Sequence, residues 1–550
     1  MSARSSERRR PRAAKTASEP APSSPATQGR YALAAVLLLA AFLRLWRLME
    51  SFPIVGDEAI YLRWAEIIEH QGQWLISLVD GKQPLSYWLY ALERMTLGID
   101  PLLGARLISA AAGVAATYLI IRVGERLADG RVGLLAGLFY AVLPWGVMYD
   151  RLVYTEALVN LAGVAIVLSS LWAFEQGAPG QRRTPGRAIG LGIVVGLGYF
   201  IKSTALQFWF FPVLVGLWRG RADPRRTAAA LSVVYACAAL FPLFCWAATP
   251  EAPTLETHSL VFHSTNFFIT PSDFLGNPLA PLGKNFARVA EFFIWFVTTP
   301  ASLLILAGTA WMLWRRSAAA AVLLSIPVLS LGAQMLMLKF YPSRYPFPQM
   351  WPFLVVAAMA AGELREFLPE QKRKLAIGLC VAALAGPMLL RSLGVVVDPQ
   401  SSIWPSDANY YFGTHAHNGV GVREAVDLLR RASDREPIVI LTDPVWGLPA
   451  DAFFAYLNHR GGTRVYEAWW VDLAPNQPIL PRGTAEVWRS HYERVSAGAL
   501  DFSPVREVYY VTVSNLRSRA EVVLREPGAK LFFSVPKGDG SASLDLWKLR

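Results

Sequence analysis

The chain has 550 residues, of which 53% are hydrophobic and only 17% are charged, and its mean hydropathy is +0.32. These values exclude a purely soluble enzyme and also a collagen-like or disordered protein, while the 19 tryptophans fit a protein with two membrane interfaces. A net charge of +12 would suggest a nucleic-acid partner for a soluble protein, but in a membrane protein it is tested first as a topology signal. The three cysteines lie in apolar runs, so no disulfide framework is predicted.

The first two segments differ sharply in composition. Residues 1–30 are rich in Ser, Pro, Ala and Arg, which predicts a disordered cytoplasmic tail because such a segment cannot bury enough apolar surface. The apolar run 31–49 has no small-residue cleavage site after it, which favours a first membrane helix over a signal peptide. Since a span needs about 20 apolar residues, about eleven transmembrane helices are predicted, at 31–49, 102–123, 132–149, 152–174, 187–202, 203–218, 227–247, 291–314, 318–338, 345–363 and 375–396.

The segment 187–218 could form one long helix or two short ones. Its flanking loops are both basic, so both should be cytoplasmic and an even number of passes must separate them. Two helices are therefore predicted, with Lys202 at the outer turn between them. Nearly all of the excess positive charge then falls in loops of one side, which predicts a cytoplasmic amino terminus and an extracytoplasmic carboxyl terminus.

From about residue 397 the hydropathy drops and the pattern becomes that of a soluble α/β domain. Helical spacing occurs at 422–432 and 450–458, and strand patterns occur at 437–442, 507–513 and 530–535. The predicted fold class is an α-helical polytopic membrane protein over 31–396 with an extracytoplasmic α/β domain over 397–550. No internal repeat is found, so the sequence gives no support to an alternating-access architecture.

The first outer loop, 50–101, is the most acidic segment. Asp57 and Glu58 precede apolar residues at helical spacing, which predicts an amphipathic helix on the membrane surface, and Pro84 begins a second such helix. The acidic pair could be a helix N-cap that complements the helix dipole. Alternatively, Asp57 is a general base for an acceptor hydroxyl near the outer face. The two interpretations are compatible, since a cap would also hold the carboxylate rigidly.

Ionisable residues inside predicted spans are functional hypotheses because burying them in a membrane is costly. Asp150 and Arg151 form a tight outer turn, and Glu156 lies about one turn into the next helix. Arg151 could simply neutralise Asp150 or Glu156. Alternatively, Glu156 faces the same cavity as Asp57 and forms a carboxylate pair with it. Arg106 lies within a span and needs a partner.

Basic residues are scarce in the outer loops, and four that lie there or at outer helix ends form a candidate anion site. They are Lys82, Lys202, Lys339 and Arg344. A polyprenyl phosphate headgroup is the natural anion at a membrane surface, whereas interface anchors placed by chance are the alternative. In the long outer loop 248–290, His258 and His263 are weak metal candidates, and solvated loop histidines are the alternative. The sequence contains no HExxH, GxGxxG, Walker A or serine-elbow motif, which argues against a nucleotide-driven pump or a peptidase.

The motifs follow one order along the chain: Asp57-Glu58, Lys82-Gln83-Pro84-Leu85, Ala105-Arg106-Leu107, Pro144 before Tyr149-Asp150-Arg151, Glu156, Gly198-Tyr199-Phe200-Ile201-Lys202, and Arg344-Tyr345 with Pro348 and Pro352. In this order, over about residues 31–365, the chain resembles the GT-C class of membrane glycosyltransferases. The similarity is to the family that includes the bacterial aminoarabinose transferase and the dolichyl-phosphate-mannose protein mannosyltransferases. The helical domain is therefore expected to be GT-C-like.

The resemblance implies inverting transfer of a sugar from a polyprenyl-monophosphate donor to an acceptor hydroxyl at the outer face of a bacterial cell membrane, without a nucleotide sugar. The enzyme would be a hexosyl- or pentosyltransferase, and its acceptor would be a lipid, a glycan or a protein. Membrane lipids would surround it, and no nucleic acid is expected as a partner. The implied site residues are Asp57 as catalytic aspartate with Glu58 beside it, Glu156 as second carboxylate, Lys82, Lys202, Arg344 and Tyr345 toward the phosphate, and Arg106, Asp150 and Arg151 in support.

Two features depart from the family pattern. Gly81 stands where an acidic residue often precedes the lysine, and His258 or His263 matches only loosely a loop histidine that is metal-associated in some members. The resemblance therefore leaves open whether a divalent metal is a cofactor.

Two other classes compete with this interpretation. A lipid-linked-sugar flippase or other transporter would be expected to show repeats, discontinuous helices or polar groups at the midplane. The ionisable residues instead cluster toward one face, which favours an enzyme. A membrane-anchored binding protein with 397–550 as its working part would need far fewer than eleven spans.

Overall fold

The computed structural model describes residues 25–175, 185–249, 269, 271–277, 279–367, 369–415, 417–443, 447–468, 494–495, 505–514 and 528–549. Most of the predicted disordered tail lies outside these residues, but its last six residues already belong to the first helix, Pro25–Leu45. The apolar sequence folds into helices with the following bounds: Pro25–Leu45, Gly56–Gln71, Leu85–Leu97, Pro101–Leu127, Gly130–Ala141, Pro144–Tyr149, Glu156–Ala173, Pro185–Ile201, Phe210–Arg219, Pro224–Ala248, Pro271–Gly276, Ala280–Phe296, Thr299–Trp314, Ala318–Met337, Trp351–Phe367 and Glu370–Val397.

Not all of these helices are long enough to cross a membrane. Among the described residues, five qualify by length and composition: Pro101–Leu127, Glu156–Ala173, Pro224–Ala248, Ala318–Met337 and Lys372–Val397. A bent pair of helices raises the number to six if it counts as one span, and further apolar helices at Gly130–Ala141 and Pro185–Ile201 are shorter. The chain is thus a multi-pass membrane protein, and the predicted count of about eleven spans is not confirmed.

Two of the predicted spans are interrupted, and in both a proline begins the second piece. The span predicted at 132–149 is divided before Pro144, which occupies the first turn of a new helix. The span predicted at 291–314 is a pair of helices bent by 113°. At that bend Thr298 has a φ of 74° and Pro300 stands in the first turn of the second helix. Proline favours the first turn of a helix, and hydropathy alone does not show such breaks because the runs are apolar on both sides of them.

The predicted division of 187–218 is confirmed. The helix Pro185–Ile201 ends before Lys202, a 3₁₀ segment follows at Ser203–Trp209, and the chain then continues as the helix Phe210–Arg219. Lys202 itself has an extended backbone (φ −164°, ψ 139°), which marks the break. Further 3₁₀ segments occur at Ile76–Asp80, Phe347–Gln349 and Arg460–Gly462.

The carboxyl-terminal region forms a six-stranded mixed sheet. In spatial order its strands are Arg494–Val495, Arg464–Ala468, Ile438–Thr442, Glu507–Val513, Ala542–Lys548 and Lys530–Lys537. The first four are parallel, and the last two add antiparallel. Every residue of Ile438–Thr442 is buried, as expected for a central parallel strand. The helices of this region are Pro399–Ser402, Pro405–Phe412, Val422–Ser433 and Ala450–Leu457. The predicted helices and strands of this region agree closely with these bounds.

The carboxyl-terminal region packs directly on the loop that precedes Asp57. Ile54–Val55 pairs with Asn418–Gly419 as a two-stranded antiparallel sheet, and the helix Gly56–Gln71 packs against Ala450–Leu457. We call this end of the helical bundle the sheet end. It contains residues of both the first loop and the carboxyl-terminal region.

The predicted helix after Asp57 forms, but its polar face is covered by protein. Most of Gly56–Gln71 is buried, including Arg63 and Glu66 on its polar face. These two side chains form an ion pair with each other, and the Arg63 guanidinium lies 4.2 Å from the centre of the Phe454 ring. Protein, and not water, therefore covers the polar face. The second predicted surface helix, Leu85–Leu97, does expose several apolar side chains.

Candidate functional site

Asp57 and Glu58 lie in the first turn of the same helix but have different environments. Glu58 accepts a hydrogen bond from the backbone N–H of the N-cap residue Val55 (3.1 Å), and its side chain is fully buried. It also accepts from the N–H of Val153 at 2.8 Å and forms an ion pair with Arg106 at 2.8 Å. Glu58 thus caps the helix, and both of its carboxylate oxygens are bound by groups of the protein. Asp57 remains about a quarter exposed.

Four charged side chains from four separate segments meet at the sheet end. Arg344 forms an ion pair with Asp57, and its Nε lies 3.9 Å from Glu156 Oε1. Lys202 Nζ lies 2.5 Å from the same Glu156 oxygen. We call Asp57, Glu156, Lys202 and Arg344 the charge cluster. Residues 57 and 344 are 287 positions apart, yet the fold brings their side chains into contact.

The ends of helices place these groups. Glu156 is the first residue of the helix Glu156–Ala173, and Lys202 follows the last residue of Pro185–Ile201. Gln83 ties the first loop to this break, because its Oε1 accepts a hydrogen bond from the Ser203 N–H at 2.7 Å. That bond holds Lys82 near the cluster, with its Nζ 3.8 Å from Asp80.

Aromatic rings line the cationic side of the cluster. The Arg344 guanidinium lies 5.1 Å from the centre of the Tyr154 ring and 5.6 Å from that of Tyr345, and Lys202 Nζ lies 5.8 Å from the Tyr345 ring. Such cation–π contacts help to hold the cations in place. Both cations are also paired with Asp57 or Glu156, so an arriving anion would have to compete with these carboxylates.

Asp57 and Arg344 keep their charges at neutral pH. Burial alone would raise the pKa of Asp57, but the positive charges of Arg344 and Lys82 outweigh it and lower that pKa to about 2. Burial would lower the pKa of Arg344, whereas Asp57 and Glu156 raise it well above its usual range. A charged carboxylate beside fixed cations, partly open to its surroundings, can accept a proton while an anion binds next to it.

The supporting residues predicted from the sequence hold the scaffold. Arg106 pairs with Glu58 and also donates to the carbonyl oxygens of Leu48 and Phe52 at 3.1 Å. Asp150 pairs with Arg44 at 2.8 Å, and both side chains are fully buried. The interpretation that Arg151 neutralises a carboxylate is wrong. Its guanidinium donates to backbone oxygens at the end of the first helix (Leu43, Trp46 and Arg47, 2.8–2.9 Å) and to the Ser51 hydroxyl.

Two further groups of candidates do not join the cluster. Lys339 is exposed beyond the end of Ala318–Met337. His258 and His263 lie outside the described residues. Among the residues that the structure describes, no group of three or more His, Cys, Asp or Glu could hold a metal ion.

Sequence reasoning missed the contribution of the carboxyl-terminal region. Asp407 accepts a hydrogen bond from the hydroxyl of Ser343, the neighbour of Arg344. The backbone oxygen of His417 accepts from the N–H of Gly56, the neighbour of Asp57 (3.1 Å). No sequence motif predicts these contacts, because they join segments more than 60 residues apart. The only available signal was the presence of polar residues in a region that the sequence predicts to be a separate domain.

Comparison with known proteins now supports the resemblance. Residues 81–252 match the family model described as dolichyl-phosphate-mannose-protein mannosyltransferase, which is less than half of the chain. No curated protein sequence matches significantly. The fold is similar to that of ArnT from Cupriavidus metallidurans in the apo state, with a TM-score of 0.60 and 13% identity over 96% of this chain and 99% of that chain.

Two other solved structures have the same fold. ArnT from Cupriavidus metallidurans bound to undecaprenyl phosphate matches with a TM-score of 0.56 and 13% identity over 96% of this chain and 98% of that chain. The oligosaccharyltransferase of Archaeoglobus fulgidus in the apo form matches with a TM-score of 0.52 and 12% identity over 90% of this chain and 71% of that chain.

The resemblance to the GT-C class of membrane glycosyltransferases is therefore confirmed. It rests on sequence over 81–252 and on fold over nearly the whole chain. These findings support a multi-pass membrane glycosyltransferase.

Proposed function

We propose that this protein is an inverting glycosyltransferase that moves a hexosyl or pentosyl group from a polyprenyl-monophosphate donor to an acceptor hydroxyl. The observation that carries the proposal is the charge cluster, in which a partly exposed carboxylate stands beside fixed cations at one end of a helical bundle. Proteins with this fold have been solved with undecaprenyl phosphate and with a dolichol-phosphate, which supports the donor class.

Asp57 is the general base of the proposed reaction. Its carboxylate takes the proton of the acceptor hydroxyl while the hydroxyl oxygen forms a bond to C1 of the sugar. The bond between C1 and the phosphate oxygen breaks from the opposite face, and its electron pair leaves with the polyprenyl phosphate. The configuration at C1 is thereby inverted, and Asp57 later returns the proton to solvent.

Lys82, Lys202 and Arg344, with Tyr345 beside them, form the phosphate site. The donor phosphodiester carries one negative charge, and the departing phosphate gains a second. Fixed cations therefore stabilise the transition state more than the ground state. Glu156 orients two of these cations through its contacts with Lys202 and Arg344.

Arg344 has two competing partners in this mechanism. Without donor it is paired with Asp57 and keeps that carboxylate weakly basic. An arriving phosphate attracts the same guanidinium, which weakens its hold on Asp57 and raises the pKa of the base. Donor binding thus prepares the carboxylate to accept a proton.

The proposed placement puts the sheet end outside the cytoplasm of a bacterial cell membrane and the amino terminus inside, in agreement with the distribution of positive charge along the sequence. Residues 31–396 are proposed as the catalytic membrane domain, with 397–550 as an extracytoplasmic domain. The acceptor, a lipid, glycan or protein, would then reach the site from that side.

A lipid-linked-sugar flippase is the second candidate, because the helices Pro281–Phe296 and Thr299–Trp314 form a broken pair. Broken helices of transporters present polar groups at the break to bind ions or substrate. Here the break at 297–298 carries a valine and a threonine and no ionisable side chain. The charged groups gather instead at the sheet end, which favours the transferase.

The test is turnover by the purified full chain in lipid nanodiscs. Undecaprenyl-phosphate hexoses and pentoses serve as donors, membrane extract serves as the acceptor source, and released undecaprenyl phosphate is measured. We expect Asp57→Asn to lower turnover by at least about 100-fold while the melting temperature stays that of wild type. Asp539→Asn, at an exposed turn of the carboxyl-terminal hairpin, is the matched control. Normal turnover in Asp57→Asn would exclude Asp57 as the base.

A further inference from the structure

The segment 417–419 of the carboxyl-terminal region is fixed against the turn that carries Asp57. Asn418–Gly419 pairs with Ile54–Val55, and a Cβ added at Gly419 would lie only 2.1 Å from the Ile54 backbone oxygen. Only glycine permits that approach of the two backbones. The two strands therefore hold residues 54–57 and 417–419 in one register.

Buried polar contacts within the carboxyl-terminal region stabilise the same segment. The Lys537 side chain is fully buried, and its Nζ donates to the Asn418 backbone oxygen at 2.5 Å. The Asn418 side chain accepts from the N–H of Val420 at 2.8 Å and donates to the Gly413 oxygen at 2.5 Å. Such bonds make the segment a rigid support for whatever contacts it.

The His417 ring occupies the space between this support and Asp57. A Cβ added at Gly56 would lie 2.3 Å from His417 Nδ1, and one added at Gly447 would lie 3.2 Å from it. The ring is thus enclosed between two glycine backbones, and its Nδ1 is buried without a hydrogen-bond partner in the structure. His417 is also close enough to Asp57 for their charges to interact.

The carboxyl-terminal region also contacts the other member of the ion pair. Asp407 accepts a hydrogen bond from Ser343, next to Arg344 in the chain. The Tyr411 hydroxyl donates to the hydroxyl of Tyr154 at 3.3 Å, and the Tyr154 ring lies under the Arg344 guanidinium. The region therefore supports both Asp57 and Arg344 from one side.

We propose that His417 is a positioning residue for Asp57, and that residues 417–419 thereby form one wall of the catalytic site. The inference rests on the proposed function, since it takes Asp57 as the base. His417 acts through the contact of its ring with the Gly56 backbone, which sets where the next residue places its carboxylate. The carboxyl-terminal region is accordingly part of the catalytic unit.

The first test separates positioning from folding and from donor binding. We expect His417→Ala to lower kcat by about 10- to 100-fold, while the Kd for undecaprenyl phosphate and the melting temperature stay within error of wild type. His417→Phe keeps the ring volume and should stay within about threefold of wild type. His70→Ala, at the opposite end of the same helix, is the matched control. Unchanged kcat in His417→Ala, or a Phe variant as impaired as the Ala variant, overturns the proposal.

A double-mutant cycle tests the contact itself. Gly56→Ala introduces a methyl group that collides with the His417 ring, so it should lower kcat strongly in wild type. In the His417→Ala background the clashes with the ring atoms at 2.3 and 2.9 Å are gone and only the contact with the residue 417 Cβ at 3.0 Å remains, so Gly56→Ala should lower kcat much less than it does in wild type. Equal losses in both backgrounds overturn the contact. Gly378→Ala, a helical glycine with open space around its added Cβ, is the control.

A structural measurement keeps this inference separate from the proposed function. Electron cryomicroscopy of wild type and His417→Ala should show a displaced Asp57 carboxylate and a longer Asp57–Arg344 separation in the variant. An unmoved carboxylate overturns the positioning role whether or not turnover is observed. Absent turnover in wild type, with a displaced carboxylate in the variant, instead overturns the proposed function and leaves the contact supported.

Discussion

Two sets of ion pairs between a basic side chain and a carboxylate differ in how far solvent can reach them. The sealed pairs, Arg44 with Asp150 and Arg106 with Glu58, have side chains that are 0% exposed. In the charge cluster, Asp57 is 24%, Arg344 19% and Lys202 14% exposed. The side chains of the sealed pairs also form hydrogen bonds with backbone groups, and these bonds connect separate segments of the fold. Access to solvent and ligand, more than charge, therefore separates the scaffold from the proposed site.

The largest expected effect is on the sealed pairs. Arg44→Met leaves the Asp150 carboxylate buried without its partner and should lower the free energy of unfolding by about 3–5 kcal/mol. Thermal and denaturant unfolding of the full chain in detergent checks this value. Arg44→Met combined with Asp150→Leu removes both charges and should recover most of the loss. If Arg44→Met were as stable as wild type, the distinction between sealed and accessible pairs would fail.

The next effect concerns the accessible cluster. Arg344→Gln should weaken binding of undecaprenyl phosphate by about 10- to 100-fold, because a charged hydrogen bond to the phosphate is lost. Arg344→Lys keeps the charge and should retain part of the affinity. Titration of the lipid phosphate in nanodiscs measures both variants. Stability should change little, in contrast to Arg44→Met, and equal destabilisation by the two arginine variants would contradict the comparison.

A smaller effect is expected on the pH dependence of kcat/KM, which reports the free enzyme. Asp57 is active when ionised, and with a pKa of about 2 it stays ionised throughout the range above pH 4. Arg344→Gln removes the main charge that lowers this pKa, while burial continues to raise it. The acidic limb should therefore move to higher pH in the variant. A limb that stays in place would show that Arg344 does not control the base.

The smallest effect is expected at Lys339, the cation that the sequence grouped with the others. Because it is exposed and stands apart from the charge cluster, Lys339→Ala should leave turnover and lipid phosphate affinity within about twofold of wild type. The same two assays check this. A loss as large as that of Arg344→Gln would place Lys339 in the phosphate site after all.

The sequence placed Asp57, Glu156, Lys202 and Arg344 on one side of the membrane, because all four stand at the ends of predicted spans or in outer loops, and the structure brings them into contact. It grouped Lys339 with them, because one side of a membrane is all that a topology prediction specifies. For Asp57 and Glu58, local sequence left the capping and catalytic interpretations open. Their difference arises from tertiary partners, Arg106 for one and Arg344 for the other.

Other features escaped prediction for physical reasons. Hydropathy measures only how apolar a segment is, so it did not show the breaks in the helices before Pro144 and at Thr298. The prolines in the sequence were a separate signal for a break at these positions. The polar face of Gly56–Gln71 was assigned to water because Arg63 and Glu66 are charged. Their mutual pairing under the carboxyl-terminal region removes that need for solvent.

The pairing of Ile54–Val55 with Asn418–Gly419 also has a consequence for biosynthesis. The two strands are more than 360 residues apart in sequence, so the turn before Asp57 lacks its partner strand while the membrane helices between them are being made. During elongation the backbone groups of residues 54–55 have no partner strand until the ribosome has passed residue 419. A chain that stops before this point would keep its bundle of helices and its charged residues, but it would lack the strand that fixes the turn. The late pairing thus makes synthesis beyond residue 419 a condition for a finished sheet end.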